Sequence, residues 1–127
     1  MGKLIYIGAG GFIGAVLRYL ISSYVQDVSK STGIPYGTLA VNVLGSFIIG
    51  VLFFFIESKG AFSPQTRAFV LVGMLGALTT FSTFSIETLN LLMEGAIPQA
   101  AINLTANIIL CLSAVWAGRI LPSLMWW

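Results

Sequence analysis

"ALTTFSTFSIE", residues 77–87, decides how this chain is read. The ten residues ending at Leu78 are apolar or glycine, and the residues from Thr88 to Met93 complete a helix-like pattern. Between them stand Thr79, Thr80, Ser82, Thr83 and Ser85, with Phe81 and Phe84 set among the hydroxyls. A surface turn, a catalytic serine loop and a polar lining inside a membrane would each contain such residues. The rest of the chain separates these readings.

Of the 127 residues, 57% are hydrophobic and 8% charged, where a soluble domain carries about 25% charged residues. Six Lys/Arg and four Asp/Glu cannot cover a water-exposed surface of this size, so a membrane protein is expected. The length fits a single domain, residues 1–127. A net charge of +2, scattered along the chain, gives no basis for nucleic-acid binding. There is no histidine, which removes the usual general base and the commonest metal ligand. No G-x-S-x-G elbow surrounds Ser82 or Ser85, so serine catalysis is not expected. Cys111 is the one cysteine and can form no intrachain disulfide.

Four apolar segments follow one another: Leu4–Tyr24, Tyr36–Ile56, Thr66–Met93 and Pro98–Leu121. Each meets the roughly 20 helical residues that a bilayer core requires. The third exceeds it and contains the hydroxyl-rich stretch, so Gly76 is the expected point where regular helix is lost, with Thr79 closing the interruption. Ser63 followed by Pro64 reads as an N-cap and first helical residue, Pro98 reads as a helix start, and Pro122 as a helix stop. Trp126 and Trp127 suit the membrane interface.

The N-terminal segment offers two other readings. Lys3 before an apolar run resembles a signal peptide, but the run is too long and lacks a clear small-residue cleavage site, so a retained helix is expected. Gly8, Gly11 and Gly14 have the spacing of a dinucleotide loop, yet no α/β pattern follows. Gly10 and Gly14 instead form a G-x-x-x-G face for close helix approach.

Polar residues within the spans fall into rows. Thr38, Asn42 and Gly45 share one helix face, as do Asn103, Asn107 and Cys111, and as do Thr80, Phe84 and Glu87, with Phe81 beside them. One interhelical amide is ordinary packing, but three aligned rows point to a polar pathway. Arg18 either snorkels to the headgroups or builds a positive vestibule. Glu87 either continues the stripe or pairs with a cation on another helix. The edge of a phenyl ring is positive and its face negative, so the edges of Phe81 and Phe84 would suit a small anion.

With "GMLGALTTFSTFSIE", "YGTLAVNVLGSFIIG" and "GAVLRY" in this order, the whole chain resembles the Fluc (CrcB) family of bacterial fluoride channels. The resemblance implies an all-α integral membrane fold of four transmembrane helices, the third broken near its middle. It implies an antiparallel, dual-topology homodimer in the bacterial cytoplasmic (inner) membrane, exporting fluoride passively through two pores. Phe81, Phe84 and Asn42 match the family's pore residues. Thr38, Arg18 and Glu87 match its second-helix threonine, its arginine and its third-helix glutamate. Thr80, Ser82 and Thr83 belong to the same polar lining. The backbone carbonyls of Gly76 and Thr79 match those that hold a central structural Na⁺ at the dimer interface. On the fourth helix Asn103 and Asn107 stand where the family pattern leads one to expect Tyr or Ser. Two rival classes stay open. A proton-coupled multidrug transporter would need an acidic residue in the first span, which has none. A purely structural membrane protein would pass no ion.

Overall fold

A computed structural model describes residues 2–30 and 33–125, all of them helical or in short connections. The interface role expected of Trp126 and Trp127 lies outside the described residues. Helix α1 runs Gly2–Val28 and α2 Tyr36–Lys59. The third span is assembled from pieces: α3 (Pro64–Arg67), a π-helical stretch Ala68–Leu75, α4 (Gly76–Leu78) and α5 (Phe81–Met93). Helix α6 covers Ile97–Met125. These make four spans long and apolar enough to cross a bilayer.

Local chemistry sets most boundaries. The hydroxyl of Ser63 accepts the Thr66 amide at 3.2 Å, with Pro64 at the first helical position, so the expected cap is present. Gly60 ends α2 in the left-handed conformation at φ 57°. Gly95, at φ 75°, ends α5. There the Ala96 and Gly95 amides reach back to the Leu91 and Leu92 carbonyls, the glycine-terminated motif that satisfies a helix C-terminus. Pro122 does not stop the last helix, contrary to expectation. It removes one backbone bond, and α6 continues to Met125 with the Ser123 hydroxyl bonded to the Ile120 carbonyl at 2.6 Å.

Two seams of small residues hold the spans together. A Cβ at Gly10 would collide with the Phe69 carbonyl, one at Gly14 with the Met74 carbonyl, and one at Gly73 with the Ile7 carbonyl. The G-x-x-x-G face of α1 therefore packs directly on the π-helical stretch, as small-residue faces do in membranes. Gly8 and Gly11 face open space within continuous helix, so no phosphate-binding turn exists there. On the other side, Gly50 of α2 lies against the Val115 carbonyl and Gly118 of α6 against that of Phe47. Val41, Leu75 and Leu78 form the small apolar core between the seams.

The third span departs from α-helix twice. Gly76 itself is helical, at φ −61° and ψ −32°, so the interruption falls three residues later than expected. Thr79 and Thr80 are both extended, at φ −82°, ψ 155° and φ −151°, ψ 116°. Side chains decide this location. The Thr79 hydroxyl donates to the Leu75 carbonyl at 3.1 Å, which also takes the Thr79 amide. The Thr80 hydroxyl caps α5 by accepting the Thr83 amide at 3.2 Å. Gly76, lacking a side chain, can do neither.

Candidate functional site

The break faces the middle of α2, and Asn42 meets it. The Asn42 side-chain oxygen accepts the Thr80 amide at 2.8 Å, and its Nδ2 donates to the Thr80 carbonyl at 3.1 Å. One side chain thus satisfies both backbone groups of the residue that cannot stay in the helix, which a buried break in a membrane requires. Gly45, one turn further along α2, leaves room for Thr79: a Cβ there would strike the Thr79 methyl. One turn before Asn42, the buried Thr38 hydroxyl donates to Glu87 at 2.7 Å. The α2 row read from the sequence is therefore a single face, and it lies along the third span.

Polar contacts continue onto α6. Asn42 Nδ2 also donates to Asn107 Oδ1 at 3.0 Å. Asn107 Nδ2 in turn reaches the Asn103 carbonyl at 3.0 Å and Asn103 Oδ1 at 3.1 Å. Asn103 donates to Thr88 at 2.9 Å, and the Thr88 hydroxyl to the Phe84 carbonyl at 2.8 Å. Thr88 was not singled out in the sequence, although it completes an i, i+4, i+8 row with Thr80 and Phe84 that was read as ending at Glu87.

The two phenylalanines diverge. Phe84 is 5% exposed, whereas Phe81 is 78% exposed on the single chain. Their ring centroids lie 5.4 Å apart with the planes inclined at 57°. Both line an open cleft of about 490 Å³ beside the break, shared with Asn42, Thr80, Asn107, Gly76 and Thr79. Ser46, Ile49, Ile108, Cys111 and Leu112 complete much of its wall and include positions that sequence reasoning did not assign to a site. Thr38, Ser82, Thr83, Glu87, Asn103 and Arg18 do not line this cleft. Ser82 is exposed and Thr83 half-buried.

Glu87 has found a hydroxyl rather than a cation. Its second oxygen, Oε2, is buried without a hydrogen-bond partner, and among the described residues the one ion pair joins Arg119 to Glu57. Arg18 is half-buried, and among the described residues its side chain is seen in no ion pair. Among the described residues no group of three or more Cys, Asp or Glu side chains could hold a metal, while backbone carbonyls at the break are hard oxygen donors. A helix end leaves its last carbonyls without intrahelical donors, and here the Leu75 carbonyl takes both the amide and the hydroxyl of Thr79. Gly76 is exposed and Thr79 half-buried, both at the cleft. Carbonyls at a helix break suit a hard cation such as Na⁺.

Four spans, an interrupted third helix and a polar seam between the helices define a polytopic membrane protein with an ion-path architecture. The chain belongs to the CrcB family: the family described as CrcB-like protein, Camphor Resistance (CrcB), matches residues 5–119. A protein of Sulfurovum sp. (strain NBC37-1) named fluoride-specific ion channel FluC is 52% identical over 118 residues, covering 93% of this chain and 91% of that protein. Proteins of the same name from Shewanella halifaxensis (strain HAW-EB4) and Shewanella amazonensis (strain ATCC BAA-1098 / SB2B) are 49% and 50% identical over 119 residues, covering 94% of each chain.

Proposed function

We propose that this chain is the subunit of a passive fluoride channel that lets fluoride leave the bacterial cytoplasm and so gives resistance to it. The observation that carries this reading is the pair Phe81 and Phe84 opening onto a cleft at a helix break whose Thr80 amide and carbonyl are both satisfied by Asn42. Relatives named for fluoride-specific conduction, about half identical over nearly the whole chain, support it. Hydrogen fluoride crosses a bilayer uncharged, ionises inside and is trapped as the anion. An open anion path then suffices, because the membrane potential drives the anion out.

The residues take the following roles. The edges of Phe81 and Phe84 present positive potential to the ion. The hydroxyls of Thr80, Ser82 and Thr83 and the seam formed by Asn42, Thr38, Glu87, Asn103 and Asn107 border the path. Arg18, a cation with no carboxylate partner among the described residues, raises the local anion concentration at an entrance. An exposed Phe81 beside a largely apolar cleft calls for a cover, and a second copy supplies it in an antiparallel homodimer. Across that interface the carbonyls of Gly76 and Thr79 would hold a structural Na⁺, which bridges subunits by charge and takes no part in moving the anion. Reconstituted protein should release fluoride from liposomes far faster than chloride, read with ion-selective electrodes. Equal release of both ions, or of neither, would contradict the assignment.

Dual insertion has its own test. Charge bias orients membrane proteins. Lys3, Lys59, Arg67 and Arg119 belong to one side, and Arg18 and Lys30 to the other. Four against two is a weak bias, since Arg67 lies in α3 and Arg119 within α6. A cysteine placed at one terminus of a Cys111→Ser background should be labelled in comparable amounts from each side of the membrane. Labelling from one side alone rules out the antiparallel dimer.

A further inference from the structure

We infer that Asn103 and Asn107 do not contact the permeating ion but act as a brace behind it, fixing the amide of Asn42 and through it the helix break. The inference deepens the channel reading and rests on it. It concerns which polar residues are free to bind an anion.

The sense of every amide in the row is set from the backbone at its ends. A Thr80 N–H can only donate, so the Asn42 oxygen must face it and Nδ2 must face the Thr80 carbonyl. The two hydrogens of Nδ2 are then committed, one to the Thr80 carbonyl and one to Asn107 Oδ1. At the other end, the Asn103 carbonyl can only accept, so Asn107 turns its Nδ2 toward it and its oxygen toward Asn42. Asn103 Oδ1 also accepts from Asn107, while its Nδ2 donates to Thr88, whose hydroxyl ends on the Phe84 carbonyl. No link can be reversed without opposing two donors or two acceptors.

The row is a closed circuit. It leaves α5 at Thr80, crosses α2 at Asn42, descends α6 through Asn107 and Asn103, and returns to α5 at Thr88 and Phe84. The first turn of α5, which carries Phe81 and Phe84, is the segment it encloses. Burial agrees with a brace: Asn103 is 0% and Asn107 6% exposed. An amide whose donors are spent on protein has none for an anion, and freeing one would leave a buried acceptor unpaired. Asn42 and Asn107 both border the cleft, each with its side-chain N–H groups already donating to protein oxygens. Contact with the ion at the cleft is therefore left to the ring edges of Phe81 and Phe84, and the asparagines determine where these stand.

Amide hydrogen exchange tests the brace directly. Asn107→Leu conserves size but removes the acceptor for Asn42 and the donor to Asn103. Its exchange at the Thr80 amide, measured by NMR in micelles, should quicken about tenfold, as for one lost buried hydrogen bond. The amides of residues 48–54 in α2 should be unchanged, and fluoride efflux from liposomes should fall by about the same factor. Asn103→Ala, which spares the bond from Asn107 to the residue-103 carbonyl, should show a smaller change of the same pattern and serves if Asn107→Leu fails to fold. Unchanged exchange at Thr80, or exchange raised evenly through the protein, overturns the brace. Faster exchange at Thr80 with wild-type efflux overturns its role in positioning the path. Wild-type protein that passes no fluoride defeats the channel reading instead, and the exchange measurement still decides the brace.

Discussion

Phe84→Ile and Phe81→Ile should each lower fluoride efflux by roughly tenfold or more, with elution on size-exclusion chromatography unchanged from wild type. Isoleucine keeps apolar bulk and loses the ring quadrupole, which is worth about 0.5–1.5 kcal/mol in a single well-placed aromatic contact. Along a path the deficit bears on both entry and passage, so the effect on rate exceeds that of one contact. The two substitutions should differ in stability. Phe84 is packed inside the subunit, and a large apolar exchange there costs up to about 1.5 kcal/mol, a measurable drop in melting temperature. Phe81 is mostly exposed on the subunit, so its replacement should leave the melting of the subunit close to wild type. If both variants conduct normally, the rings are helix packing and the anion passes elsewhere.

Asn42→Asp should be the more damaging change. A carboxylate still accepts the Thr80 amide, but the oxygen replacing Nδ2 faces the Thr80 carbonyl and Asn107 Oδ1, both acceptors. Two buried hydrogen bonds become repulsions, and each buried group left unpaired costs about 1–3 kcal/mol. A negative charge is also placed on the cleft wall, opposing any anion there. Efflux should fall at least tenfold and the melting temperature should drop together with it. Asn42→Ala, without the charge, separates the two causes: it should lower stability less than Asn42→Asp. A stable Asn42→Asp protein with normal flux would remove Asn42 from both the break and the path.

Much of the molecule could be read from its residues because the relevant physics is local or periodic. A membrane core demands runs of apolar residues, and the four runs are the four spans, with ends that differ by at most four residues. Ser63–Pro64 carries its capping geometry in adjacent positions. The Gly10 and Gly14 spacing states a close-packing face directly, though not its partner. The rows on α2, on α5 and on α6 were legible as faces because 3.6-residue periodicity places them so.

What escaped was set by contacts between distant residues. The break falls at Thr80 because Asn42, 38 positions away, accepts its amide and donates to its carbonyl. Gly76 is the more flexible residue, but flexibility alone does not pay for an unpaired backbone in a membrane. The π-helical stretch from Ala68 to Leu75 had no sequence sign, since it follows from the fit of Gly73 against α1. The fate of Glu87 could not be chosen between a cation and the stripe until Thr38 was found beside it. The unequal burial of Phe81 and Phe84 likewise depends on where α2 and α6 end up around α5.

The central claim is that fluoride crosses this protein as a free anion down its own gradient. The most direct measurement is fluoride efflux from potassium-loaded proteoliposomes, with and without valinomycin. A passive anion path moves charge, so efflux should stall at once without the ionophore and run to completion when valinomycin lets potassium follow. Valinomycin should have no such effect on empty liposomes. Fluoride release that proceeds equally well without the ionophore, or that requires an opposing proton gradient, would contradict the account.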